Sequence, residues 1–452
     1  MSEQLTDYKN STKKVYIKTF GCQMNEHDSE RIAGLMAEAG YDLSERPDDA
    51  QVIILNSCSV REKAYDKLRS EIGRFGSLKK NNPGLVIGVG GCVAQQEGKR
   101  LLGGSRLIDF VFGPRAIHKV PEIMERVSSD GRGVVEIGAP GDKMIDANIK
   151  RDNGITAWVS IMEGCDNYCS YCVVPYTRGR EVSRPSNNII NEIEGLASDG
   201  FKEVTLLGQN VSSYGKGLSE SVDFPTLLSK IEPIEGIERI RFITSHPRDL
   251  SVDLIDAMAK LSKVCEHIHL PLQSGSDKIL EGMNRGYTYE EYRKKIDLIR
   301  NRIPSISVST DIIVGFPGEY KDDFHKTKDA LLGIGYDNIY LFRYSRRPNT
   351  AALSLDGHLP EDLKIERLEE ILLMQREIAS RKNGSYIGRS AQVLFDGQNS
   401  KEEGGIVGRT RTNKVVYVKG SRSLIGHLKE VKIVSTSFAS LRGELLENSI
   451  NA

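Results

Sequence analysis

Excess charge is missing from this 452-residue chain, in which 62 Lys and Arg stand against 62 Asp and Glu. That balance excludes a globally basic protein that coats nucleic acid, so any contact with phosphates must come from local patches. No run approaches the roughly 20 consecutive apolar residues of a membrane-spanning helix. The polar stretch Met1 to Lys14 lacks the apolar segment of a secretory signal. The expectation is a cytoplasmic chain without membrane association. No internal repeat or low-complexity tract is present, which removes solenoids and fibres. Cysteine is scarce: seven residues, too few and too spread for a disulfide scaffold. A cytoplasmic chain would keep them reduced, which makes them candidate ligands or nucleophiles.

What is present is chain enough for two or three domains. Short β-branched runs at Lys14 to Phe20, Val52 to Leu55 and Leu85 to Val89 alternate with amphipathic stretches. In one of these, Ile32, Leu35, Met36 and Ala39 recur at helical spacing and Gly40 is placed as a C-cap. The pattern predicts a doubly wound parallel α/β domain over residues 13–127. Residues 128–152, rich in Gly, Asp and Lys, read as a linker. Six further strand candidates follow: Ala157 to Met162, Glu203 to Leu207, Arg239 to Thr244, His267 to Leu272, Ile306 to Val314 and Asn338 to Tyr344. The first five each lead into a helix-compatible segment, so residues 153–382 are expected to form a (β/α)6 partial TIM-like barrel, with functional loops at the strands' C-terminal ends. Helical spacing from Glu361 to Arg381 predicts a long connecting helix. Residues 383–448, with alternating runs between glycines, are expected to be a small all-β barrel.

The strongest motif is Cys165-Asp166-Asn167-Tyr168-Cys169-Ser170-Tyr171-Cys172, directly after the first barrel strand. Three thiolates on one tight loop can bind three irons of a cubane and leave the fourth open to a substrate. Structural zinc is the competing use, but such sites pair two CxxC knuckles, and neither a second knuckle nor a nearby His stands here. A second triplet, Cys22, Cys58 and Cys92, is visible only through placement: each cysteine follows an expected parallel strand by two or three residues. Loops leaving such strands converge on one crevice, so the thiols could meet, again as three ligands without a fourth. Buried cysteines acting as small hydrophobes are the alternative. A dinucleotide site is not supported, because Gly88-Val89-Gly90-Gly91 does not meet G-x-G-x-x-G. Cys265 stands alone and is assigned to packing.

The cysteine loop on the first of six βα units resembles the radical S-adenosylmethionine (SAM) superfamily. The resemblance implies that Cys165, Cys169 and Cys172 hold a 4Fe-4S cluster whose open iron chelates SAM, which an electron then cleaves to a 5'-deoxyadenosyl radical. It further implies that Tyr171 lies near the adenine, that Gln209 and Asn210 recognise the methionyl amine, and that Gly315 and Phe316 in IIVGFPGE back the adenine. Gln273 and Ser274 are expected to face the same cavity from strand four. In the last module ten Lys and Arg outnumber six Asp and Glu, a local excess that suits phosphates and hence RNA, though an ordinary solvated face would look similar. Arg178, Arg180 and Arg184, with Arg343, Arg346 and Arg347, are expected near the barrel mouth.

Three parts in this order resemble the methylthiotransferase family over roughly Val15 to Leu446, with a TRAM domain last. The stretches from Ile161 to Pro185 and Gln209-Asn210-Val211 look most like the branch acting on N6-isopentenyladenosine at position 37 of tRNA. Asp166 and Ser170 are small departures that touch no ligand. The resemblance implies two 4Fe-4S clusters, the second on Cys22, Cys58 and Cys92, sharing one cavity, and SAM as both methyl donor and radical source. Its implied partners are a tRNA anticodon stem-loop, a low-potential electron donor and a sulfur or cluster carrier protein. Two alternatives stay open: the same chemistry on threonylcarbamoyladenosine or a ribosomal-protein aspartate, and a non-catalytic iron-sulfur RNA-binding protein.

Overall fold

A computed structural model describes residues 13–59, 62–138, 149, 151, 154–400 and 402–446. The chain divides into two compact units, Met1–Asp152 with Val173–Arg180, and Asn153–Cys172 with Glu181–Ala452. Among the described residues no helix is long and apolar enough to cross a membrane.

The first unit runs β1 (Lys13–Phe20), α1 (Gln23–Glu38), β2 (Tyr41–Leu43), β3 (Val52–Ser57), α2 (Glu62–Asn81), β4 (Val86–Gly90), α3 (Cys92–Glu97), α4 (Lys99–Gly104), β5 (Phe110–Phe112), α5 (Val120–Asp130) and β6 (Val134–Glu136). All six strands are parallel, in the order β2-β1-β3-β4-β5-β6. Strand β3 is buried along its whole length, as a sheet covered on both faces requires. Its alternate residues feed two separate cores: Ile53 and Leu55 meet Leu68, Ile72 and Phe75 of α2, while Val52 and Ile54 join Ile32 and Met36 of α1. Gly40 follows α1 at φ +82°, as expected of a helix terminator. Strand β6 lies inside the stretch read as a linker. Only three residues long, it has too little apolar periodicity to be seen, and it exists because the edge of β5 offers it hydrogen bonds. Most of that stretch beyond it lies outside the described residues.

The second unit opens with β7 (Thr156–Ser160) and β8 (Met162–Glu163). The chain then leaves for residues 173–180, with a short helix α6 (Val174–Thr177), and returns at β9 (Val182–Ser183), which pairs with β8. There follow α7 (Ser186–Ser198), β10 (Glu203–Leu207), α8 (Phe224–Ile231), β11 (Arg239–Phe242), α9 (Val252–Lys260), β12 (His267–His269), α10 (Asp277–Gly282), α11 (Tyr289–Arg302), β12's neighbour β13 (Ser307–Val314), α12 (Lys321–Ile334), β14 (Asn338–Arg343) and α13 (Glu361–Gly384). The parallel sheets β7-β10-β11 and β12-β13-β14 are joined by a single bridge, Ile240 to Val264. Six strands in one open, helix-covered arc match the expected partial barrel. Thr288 and Glu291 form a reciprocal cap on α11.

The last five strands, β15 (Ser390–Gln398), β16 (Gly405–Thr410), β17 (Val415–Lys419), β18 (Leu428–Thr436) and β19 (Leu441–Leu445), close into a barrel. It docks on the N-terminal ends of the barrel strands, away from the cysteine loop. Buried Arg239 donates to the carbonyls of Arg409 and Gln392, and Arg241 donates to those of Arg411 and Thr410. Arg411 grips Glu266 with both arms of its guanidinium. Two of the module's ten basic residues, Arg411 and Lys414, are therefore spent on holding it in place.

Lys414 meets Asp337 at 2.9 Å, and Lys382 of α13 meets the same carboxylate at 2.7 Å. Burial alone would raise this carboxyl, but Lys414 and Lys382 together take it below its ordinary value. Its contribution to stability is therefore present above the unfolded value near 4 and is lost as pH falls below that. Asp337→Asn is expected to cost about 3 kcal/mol at pH 7, because it strands two partly buried ammonium groups. Thermal denaturation of both proteins checks this, and their difference should fade below about pH 4.

Candidate active site

In the first unit β1, β3 and β4 are adjacent, so the residues that follow them, Cys22, Cys58 and Cys92, emerge side by side from one edge of the sheet. Cys22 caps α1 and Cys92 opens α3. Glycine makes the approach possible. A Cβ on Gly21, at φ +139°, would lie 2.4 Å from the Cys58 Cβ, and one on Gly91, at φ +90°, would lie 2.5 Å from the Ser57 carbonyl. Beneath the thiols, the Asn56 amide donates to the Asn25 carbonyl at 2.8 Å and to Ser29 at 2.9 Å, and Cys22 Sγ sits 3.3 Å from Asn25 Oδ1. Cys22 and Cys58 are hydrogen-bonded. That bond, against burial and with help from the charge of Arg178, lowers the Cys22 thiol to about 6. Burial raises Cys92 despite the same Arg178.

In the second unit the cysteine loop leaves β8 through Gly164, at φ +84°, whose N–H donates to Gln209 Oε1. The loop is pinned from below. Ser170 donates through its N–H to Met283 at 3.0 Å and through its hydroxyl to Gly282 at 2.7 Å, and it accepts the N–H of Ala352 at 2.8 Å. The Asn284 amide holds the Tyr168 carbonyl at 3.0 Å. Arg285 is the residue that sequence reasoning missed. Only 4% exposed, it reaches Cys169 Sγ at 3.3 Å, the Pro271 carbonyl at 2.9 Å and the hydroxyl of Tyr287 at 2.9 Å, with Tyr171 at 3.5 Å. Nothing in MNRGY distinguishes it from a surface arginine. Burial pushes Cys165 up to about 11, so occupation by a metal would release protons.

The expected SAM contacts divide. Tyr171 packs against the apolar group of Phe316, Met283 and Tyr344. Gln273 stands at the end of strand four at φ +73°, and its buried Oε1, like the buried Tyr344 hydroxyl, has no hydrogen-bond partner among the described residues and so is open to a ligand. Asn210 is already committed: Nδ2 donates to Asp249 at 2.7 Å and Oδ1 accepts from the His246 N–H at 3.1 Å. The Ser274 hydroxyl is committed within the protein, accepting the Ser276 N–H at 3.2 Å. The same hydroxyl lies 3.2 Å from Thr327 on α12. Gly315 makes room for a protein side chain, since a Cβ there would lie 2.4 Å from Lys364 Cγ. The arginine group also separates: Arg178 folds with the first unit, and Arg184 is buried against Glu192.

Among the described residues no three His, Cys, Asp or Glu groups converge closely enough to hold one metal ion. A cubane asks for something else, since its three thiolates bind separate irons at different corners and so stand further apart than ligands around one ion. Two groups of three thiols suit that donor chemistry, and neither presents the four tight donors of structural zinc.

Three family descriptions match the chain in succession: "Uncharacterized protein family UPF0004" over residues 14–113, "Radical SAM superfamily" over 159–331 and "TRAM domain" over 384–446. A protein of Thermodesulfovibrio yellowstonii named tRNA-2-methylthio-N(6)-dimethylallyladenosine synthase is 50% identical over 432 residues, covering 96% of this chain and 98% of the relative. The chain belongs to this synthase family. A synthase of the same name from Syntrophus aciditrophicus is 49% identical, over 96% of this chain and 95% of its own. Among solved structures, the radical SAM methyltransferase TsrM from Kitasatospora setae, with cobalamin and a [4Fe-4S] cluster bound, aligns at TM-score 0.55 and 16% identity, over 76% of this chain and 77% of that one. At that identity the likeness is one of fold alone.

Proposed function

We propose that this chain, like the synthases to which it is similar in sequence, transfers a methylthio group to C2 of N6-isopentenyladenosine at position 37 of tRNA, with SAM as methyl donor and radical source. The observation that carries the reading is the presence, within one chain of this family, of two separate three-thiol sets, one at the C-terminal ends of three parallel strands and one on a single loop beyond the first barrel strand. In this reading Cys165, Cys169 and Cys172 hold the cluster that binds SAM, and Cys22, Cys58 and Cys92 hold the one that presents sulfur. Bound there, such clusters would supply the electron that cleaves SAM and the sulfur atom to be donated. An adenine C2–H is too inert for acid-base chemistry, which is why a cofactor must carry this step.

The protein's own part is to hold and orient. Arg285 ties the cysteine loop to the end of strand four and directs positive charge at Cys169. Gln209 fixes the loop's entry, and Gln273 offers SAM a buried amide oxygen. The terminal barrel, with its remaining basic residues, engages the anticodon stem-loop, where A37 is unpaired and therefore cheaper to extract than a base in a duplex. A low-potential electron donor and a sulfur or cluster carrier complete the reaction in the cytoplasm.

Reconstituted full-length protein, with SAM and reductant, should methylthiolate a synthetic anticodon stem-loop that carries isopentenyladenosine. Stem-loops with unmodified adenosine or threonylcarbamoyladenosine should stay unchanged. Nucleoside mass spectrometry reads the result. Product on threonylcarbamoyladenosine alone, or tRNA binding without any 5'-deoxyadenosine, would overturn the reading.

A further inference from the structure

Arg178 has no part in the chemistry assigned so far. It lies six residues past Cys172 in the chain yet folds with the first unit, 3% exposed. Its Nη2 donates to Asp28 Oδ2 at 2.6 Å, and Asp28 also faces Arg31 at 3.7 Å. Arg115 donates to the carbonyls of Arg178 and Arg180 at 2.6 and 2.8 Å, which fixes the backbone that delivers the guanidinium. Arg178 is also hydrogen-bonded to Cys92. Buried Arg178 and Arg31 thus both face the one carboxylate of Asp28, in surroundings where charge is costly unless matched.

We propose that Arg178, oriented by Asp28, is the positioning residue that balances the charge of the cluster held by Cys22, Cys58 and Cys92 and sets its reduction potential. The proposal rests on the reading that these three thiols hold a cluster. Three thiolates on an oxidised cubane core of charge two plus sum to one negative charge, which a guanidinium bonded to a ligand sulfur answers. Adding an electron deepens that negative charge. A guanidinium hydrogen-bonded to a ligand sulfur favours the reduced form and so raises the potential. Arg178 bonds the sulfur itself, whereas Asp28 meets the guanidinium, so the guanidinium decides the sign. Glu26, an acid coupled to Cys22, is exposed and screened.

The test uses the full-length chain with Cys165, Cys169 and Cys172 changed to Ala, so that one cluster remains, with iron counted and the potential read by a titration followed by electron paramagnetic resonance. Arg178→Gln leaves Asp28 with Arg31 and should lower the potential by at least about 59 mV, a tenfold change for a one-electron couple. Asp28→Asn should move it the opposite way, and Arg178→Lys should restore most of the parent value. If Arg178→Gln does not fold, the other two variants still read the sign. Full iron with an unmoved potential, or shifts of the same sign in Arg178→Gln and Asp28→Asn, would overturn the proposal alone. A parent that binds no iron would overturn the cluster reading, and the proposal with it.

Discussion

Cys22→Ala is expected to keep forming 5'-deoxyadenosine from SAM while methylthio product falls on the order of 10⁴-fold or more, the scale seen when one member of a set acting as a unit is removed. Cys165→Ala is expected to lose both. The asymmetry follows from placement. Cys165 sits in the loop that Arg285, Ser170 and Asn284 tie to the barrel, and Cys22 leaves the end of β1 in a different sheet. Chromatography of the nucleoside products and iron counting on both variants check the result. Iron should fall by about half in each, since three thiolates are the whole protein ligand set of one cluster. Equal loss of SAM cleavage in the two variants would show that the triplets do not have separate tasks.

Arg285→Met is expected to reduce SAM cleavage by about 10²-fold, the effect of removing a partner that orients a metal ligand, while the stability of the metal-free chain changes by about 1 kcal/mol or less. The contrast comes from what the guanidinium touches. Among the described residues its hydrogen-bond partners are a carbonyl, two phenols and the Cys169 sulfur, none of them a carboxylate. In the metal-free chain its buried charge is poorly answered, and replacing such a group by an apolar side chain of similar size is often neutral. Once thiolates carry a cluster, the same charge becomes favourable, because a cation beside a sulfur ligand lowers the cost of its negative charge. Arg285→Lys should recover part of the activity, as it keeps the charge without the fork. Unchanged iron retention and cleavage in Arg285→Met would remove this role.

Residues close in sequence were read most securely. The loop from Gly164 to Cys172 contains its three thiols within eight positions, and the six barrel strands announce themselves by apolar runs separated by helical periodicity. The second triplet was legible only because each cysteine follows a parallel strand. That β1, β3 and β4 lie next to one another depends on hydrogen bonding between segments more than 30 residues apart. The protein neighbours of Ser274 and Gly315 were not legible for a shared reason: a strand end or a glycine turn has two sides, and local pattern does not say which side meets α12 or α13.

Periodicity, thiol spacing and chain length determined three consecutive parts and the chemistry of their donors, since these depend on residue type and separation along the backbone. Tertiary packing alone decided that Arg178 turns back to Asp28 and Cys92, that Arg285 lies under Cys169, and that Arg411 and Lys414 anchor the terminal barrel instead of meeting solvent. A long cationic side chain carries no local mark of its partner. Its role is settled by which buried sulfur, carbonyl or carboxylate folding brings within reach of its tip, where desolvation makes the match matter most.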